Sequence, residues 1–287
     1  MNTQQAGGNQ TRQTRAYKTK SSSNNNKKRV FAARPSQKVG QQSQQNRRPN
    51  YHGNPNSNEK LRIIPLGGQE EVGRNMTVFE YAGDIVILDM GIQFPEEDMP
   101  GIDYIIPNTK YLIGKEKNIK GVVLSHGHLD HIGAAPILLE KLGYPPVAAR
   151  DLTIAMVKHK LEDYKKGGSQ NLKTIQIKSV DDVLRMGKFT IKFFQVEHSI
   201  MDAVGVIIET PSGTVIHPGD WTLERDEKGH SSIDYSHLQK LKKPTVLMLE
   251  SLGATNNKQH GSYEDMYNNL HNILKGSPGR IIIGTFS

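Results

Sequence analysis

A chain of 287 residues has room for one or two domains. It contains no cysteine, which excludes disulfides and thiolate metal sites and leaves imidazoles and carboxylates as the strong metal ligands. The net charge of +8 is concentrated at one end: residues 1–60 hold twelve Lys or Arg against the single acid Glu59, a net +11, so the other 227 residues sum to −3.

The first 59 residues are mostly Gln, Asn, Ser, Gly, Lys and Arg. Such a segment cannot bury enough apolar surface to offset the entropy of ordering, so residues 1–59 are expected to be a disordered basic tail. Its Ser- and Arg-rich, acid-poor text also fits an organelle transit peptide, but no amphipathic period runs through it. A cationic tail gains affinity for nucleic acid by releasing counterions from phosphates. Arg12, Arg15, Lys18, Lys20, Lys27, Lys28 and Arg29 are the candidate nucleic-acid-binding residues. With only Tyr17, Phe31 and Tyr51 as aromatics there, base stacking is a minor contributor. A plain linker is the alternative reading. No apolar run reaches the ~18 residues of a membrane span, so the expectation is a cytoplasmic protein with no membrane partner.

From Leu61 the text changes to short β-branched runs. Strands are expected over residues 61–66, over 77–81 and 85–90 as a hairpin turning at Gly83–Asp84, over 121–124, and over 188–196. Residues 204–210 and 214–217 pair across Pro211–Ser212–Gly213, and 245–249 and 280–285 read as further buried strands. Helical spacing occupies 131–142, 151–166 and 262–274; the last two open with cap residues, Asp151 and Ser262. Antiparallel meanders with interspersed helices argue for sheets covered on their outer faces rather than for a strictly alternating dinucleotide-binding domain.

The richest stretch is Ser125–Gly133, S-H-G-H-L-D-H-I-G, which sets His126, His128, Asp130 and His131 between a buried strand and a helix. Asp130 alone could be a helix cap. Four ligand types in six residues instead suit a hydrolytic zinc site, His126 and His128 sharing one ion while Asp130 and His131 reach a second. His198 ends the strand over 188–196, and Asp220 follows the strand over 214–217 through Pro218–Gly219. Both would emerge at the same rim, His198 completing three ligands and Asp220, with two oxygens, bridging the ions. Asp89 sits at a similar strand end and is expected to orient a ligand histidine through its other nitrogen.

H-G-H-L-D-H, His198 and P-G-D at Asp220 resemble the signature of the metallo-β-lactamase fold. L-G-G-Q-E-E-V-G-R-N-M (66–76), L-D-M-G-I-Q-F-P-E-E-D-M-P-G-I-D-Y-I-I-P (88–107) and E-H-S-I-M-D-A-V-G-V-I-I-E-T-P-S-G-T-V-I-H-P-G-D (197–220) together resemble the ribonuclease J family, over roughly 61–287. The resemblance implies an α/β fold, the four-layer αββα sandwich, here incomplete. Residues 60–258 would be the first part of that domain, and 259–287 the start of an inserted β-CASP domain. It implies two Zn2+ per site, with Mn2+ possible: His126, His128 and His198 on one, Asp130 and His131 on the other, Asp220 between them. Asp130 and Glu250 are the candidate catalytic carboxylates, although Leu252, Gly253 and Ala254 interrupt the family's usual text after Glu250–Ser251. RNA is the implied substrate, cut internally and from a 5′ end in RNA processing and decay by a dimer or tetramer. The family's late histidine ligand is missing, and none of His230, His237, His260 or His271 follows a β-run, so a truncated chain is expected. A small-molecule hydrolase of the same fold and a non-catalytic RNA-binding fragment are the competing readings.

Overall fold

The computed structural model describes residues 59–223, 231–255 and 263–284. The basic tail, with its seven candidate cations and its expected disorder, lies outside the described residues, as do His230, His260 and Ser262. Alternating β-branched and aromatic residues build two sheets. The first holds β1 (Arg62–Gly67), β2 (Met76–Tyr81), β3 (Asp84–Leu88), β4 (Ile119–Val123), β5 (Val147–Ala149) and β6 (Thr174–Gln176), side by side in that order. The second holds β7 (Val183–Met186), β8 (Phe189–Gln195), β9 (Val204–Thr210), β10 (Gly213–His217) and β11 (Thr245–Leu247), in the order β11-β10-β9-β8-β7. Four helices are described: α1 (Leu129–Ile132), α2 (Ala135–Lys141), α3 (Asp151–Tyr164) and α4 (Tyr263–Gly276).

The two-residue side-chain period divides the strands between two cores. On β2 and β3, Val78, Ile85 and Ile87 face Leu138, Leu139, Val157 and Leu161 of the helices. Their neighbours Phe79, Val86 and Leu88 face Ile191, Phe193, Val206, Ile208 and Val215 of the second sheet. Each of these large side chains is buried, worth roughly 1.5–3 kcal/mol apiece in removed apolar surface. The outer face of the second sheet carries a smaller cluster of Phe194, Val196, Ile207 and Ile216 under Trp221, Tyr235, Leu238 and Leu241. The order is therefore helices, sheet, sheet, and a loop cover with one 3-10 turn (Ser236–Lys240). Helix α4 joins none of the core clusters, and its Met266, Tyr267, Leu270 and Ile273 are exposed.

Several expectations need correction. The first hairpin turns at Ala82–Gly83, both with positive φ, the two-residue geometry whose twist matches its strands. The expected helix over 131–142 is two helices, because Pro136 lacks an amide hydrogen and fits only a first turn. Asp151 is the first helical residue of α3 and does not cap it; the Asp202 carboxylate accepts the Leu152 amide at 3.0 Å in its place. The run at 280–284 has no regular structure and Ile282 is 93% exposed; among the described residues no strand pairs with it. Strands β5, β6 and β7 were not expected, and β3 through β6 pair in parallel where meanders were foreseen.

Candidate metal centre

One rim collects every strand end that the sequence marked. Strands β3 and β4 run parallel, and β8, β10 and β11 share a direction because β9 lies antiparallel between β8 and β10. Their C-terminal ends deliver Asp89, His126, His198, Asp220 and Glu250. A 3.0 Å bond from the Val204 amide to the Ser125 carbonyl ties the two sheets together beside this rim.

The loop carrying the histidines is gripped through its backbone. The amides of Asn75, Met90 and Ile92 donate to the carbonyls of Asp130, His131 and Leu129 at 3.1, 2.7 and 3.0 Å. Gly91 lies so close that a Cβ there would overlap the Asp130 carbonyl oxygen. Asp89, in the left-handed region with φ 62, accepts the Ser125 amide at 2.8 Å and its hydroxyl at 2.9 Å. The same carboxylate lies 2.8 Å from His131 Nδ1, so that nitrogen keeps its proton and Nε2 turns to the rim.

Two sets of donors converge. His128 Nδ1 lies 3.1 Å from His126 Nε2 and 3.0 Å from His198 Nε2. Three nitrogens around a tetrahedral zinc at ~2.0–2.1 Å would stand about 3.3 Å apart, so this spacing fits such an ion with little movement. His126, His131 and Asp220 make a second set, with His131 Nε2 3.3 Å from Asp220 Oδ1. Asp130 reaches His131 Nε2 at 3.5 Å but does not belong to either mutually close set. His126 therefore stands in both sets.

Electrostatics favour a cation here. Burial pushes His126 down to about 2, with His131 and His198 adding repulsion. Burial also lowers His128 and His198, so all three rings keep a free lone pair. Burial would lower His131 as well, but Asp89, Asp130 and Asp220 around it outweigh that and raise it well above the usual value. Asp220 is held well below the usual carboxylate range: burial raises it, and His131 and the other imidazoles pull it further down. A buried charge cluster of this kind needs a counter-ion or a shared proton to be stable.

Two site residues were missed by sequence reasoning. Asn75 Nδ2 lies 3.3 Å from Asp130 Oδ2 and 3.1 Å from His131 Nε2. His217, inside a strand in the sequence, accepts the Gly219 amide on Nδ1 at 2.9 Å and so shapes the turn that presents Asp220. Neither sits in a ligand-like motif, and only the folded chain brings them to the rim. Glu250 lines a cavity of about 220 Å3 with His131, His217 and Asp220, and accepts the Leu252 amide at 2.6 Å. His237 packs edge-on to Phe194, and His271 stacks on Tyr267 within α4; neither joins a ligand set.

The family model described as the metallo-beta-lactamase superfamily matches residues 70–249, which include this entire rim except Glu250. The chain belongs to the metallo-β-lactamase superfamily. Within that superfamily it is a member of the ribonuclease J family. It is 39% identical over 242 residues to the ribonuclease J of Thermus thermophilus, covering 80% of this chain and 41% of that protein. The Synechocystis ribonuclease J is 34% identical over 233 residues, with 80% of this chain and 36% of that protein covered. The chain thus spans well under half the length of the curated relatives it matches. A crystal structure of an Enterococcus faecalis protein of unknown function shares the fold, with TM-score 0.54 and 18% identity over 77% of this chain and 59% of that one.

Proposed function

We propose that this chain carries the metal-binding part of a ribonuclease that hydrolyses RNA phosphodiester bonds with two divalent cations. The observation that carries the proposal is the pair of donor sets meeting at His126, in a chain whose relatives are named ribonuclease J. His126, His128 and His198 would hold one cation and His131 and Asp220 the other, with His126 close to both sets and Asp130 reaching in beside His131. Zinc suits this donor chemistry, and manganese is the alternative. When bound, the cations polarise a phosphoryl oxygen and acidify water. Asp89 fixes the His131 ring and its tautomer, and Asn75 steadies Asp130 from the other side. Asp130 and Glu250 are the carboxylates that would take up a proton at the rim. Internal cleavage together with 5′-end trimming, in RNA processing and decay in the cytoplasm by a dimer or tetramer, belongs to the same proposal. So do a domain over 60–258 and a further one beginning at 259.

The test is metal content alongside cleavage of single-stranded RNA. The expected result is two cations per chain, with His128→Ala and Asp130→Ala each slowing cleavage at least ~100-fold, the scale on which removing a transition-state donor acts. Full cleavage by both variants would overturn the mechanism.

A further inference from the structure

Besides the cavity at Glu250, a larger groove of about 680 Å3 opens beside His198, within the ~300–1,000 Å3 typical of ligand sites. Arg150, Lys178, Ser179, Met201 and Asp202 are among the residues that line it. We propose that this groove receives the backbone phosphate adjoining the one at the metal centre, on Arg150 and Lys178, when a single RNA strand lies across the rim. The inference rests on the phosphodiesterase reading above and adds to it the place where the strand is held.

Five observations carry it. His198 belongs both to the groove wall and to the first donor set, so the groove and the metal centre are continuous. Arg150 is half-buried and spends only Nε, on Asp202 at 3.2 Å; its Nη groups form no ion pair among the described residues. That bond fixes the guanidinium, and the same Asp202 carboxylate is further occupied by the Leu152 amide at 3.0 Å. Lys178 is exposed and forms no ion pair among the described residues, while its own amide is held by Asp182 at 2.7 Å. Of the nearby acids, Glu197 accepts the Ser232 hydroxyl, and Asp182 also accepts the Ser179 amide, which with the nearby Lys178 and Arg150 holds its carboxyl below the usual value. Met201, 78% exposed at the groove edge, offers an apolar surface of the kind an unstacked base covers. A fixed planar guanidinium with two free nitrogens suits a phosphate, and a mobile ammonium completes the contact.

The experiment measures how binding of a short single-stranded RNA with non-hydrolysable linkages to the metal-loaded full chain varies with salt. Each phosphate contact contributes about 0.7 to the slope of log K against log salt for a single strand. Lys178→Ala is expected to flatten the slope by about 0.7 and Arg150→Ala/Lys178→Ala by about 1.4, with Lys178→Arg restoring it. Lys117→Ala serves as the control, because Lys117 precedes β4 and so lies at the end of that strand opposite His126. An unchanged slope in Lys178→Ala, or an equal loss in Lys117→Ala, would overturn the proposal. Hydrolysis of bis(p-nitrophenyl) phosphate, which has no adjoining phosphate, tests the chemistry separately. Turnover with an unaltered slope sinks the groove alone; a flattened slope without turnover sinks the chemistry and keeps the groove.

Discussion

Asn75 and Gly91 act on the histidine loop from the same side. Asn75 offers the loop both its amide hydrogen and its carboxamide, and Gly91 supplies the absence of a side chain. Partners of this kind, which orient ligands without binding the ion, typically alter metal affinity by ~10–100-fold. Asn75→Ala is accordingly expected to weaken binding of the second cation by about 10-fold in a metal titration while leaving the first nearly unchanged. An unaltered second affinity would show that the carboxamide has no part in holding Asp130 and His131. Gly91→Ala should do more, displacing the whole loop, and loss of both cations with retained sheet circular dichroism is the expected signature. The loop itself was legible in the sequence because four metal-capable side chains fall within six residues. Asn75 and His217 were not, since each acquires its neighbours only when separate strands meet.

At the scale of elements, α3 depends on a residue fifty positions away. Asp202, held at φ 67, supplies the cap that Asp151 was expected to provide. Removing such a cap typically costs ~1 kcal/mol, so Asp202→Ala should lower the denaturant midpoint accordingly. No loss would mean that water satisfies the Leu152 amide equally well. A second element-level device is Glu80 on β2, which accepts the Tyr111 hydroxyl at 2.6 Å and Lys115 at 2.9 Å. Burial raises its pKa, but these two partners outweigh burial and hold it below 4.5. A depressed carboxylate contributes stability that is present above its unfolded value and lost as pH falls through the folded one. Unfolding free energy should therefore decline below about pH 4.5, and Glu80→Gln should flatten the decline; an identical pH profile would contradict this. Long strands with a clear two-residue period, such as β8 and β9, were legible from sequence. Three-residue strands such as β5 and β6 carry too little pattern, and the apolar run at 280–284 reads as a strand although no sheet among the described residues takes it up.

For the molecule as a whole, the surplus positive charge lies in residues 1–60, whereas the chemistry lies at the rim of the two sheets. The two should be separable: deleting residues 1–59 is expected to weaken RNA binding at low salt and flatten its salt dependence. Unchanged binding would reduce the segment to a linker. The fold class could be read from the sequence because ligand-bearing strand ends and their flanking text are local features. The αββα layer order came only through the family resemblance, because strand pattern alone does not say which faces of distant strands bury one another.

His126, His128, Asp130 and His131 follow a strand of the first sheet, while His198 and Asp220 follow strands of the second. An ion gripped from both sides of that seam would act as a rivet between two slabs. Saturating it at a hundred times its dissociation constant would add about 2.7 kcal/mol to the folded state. Chelation should then loosen the slabs first where they face each other, exposing Phe193 and Val206 to hydrogen exchange before the helix-side core opens.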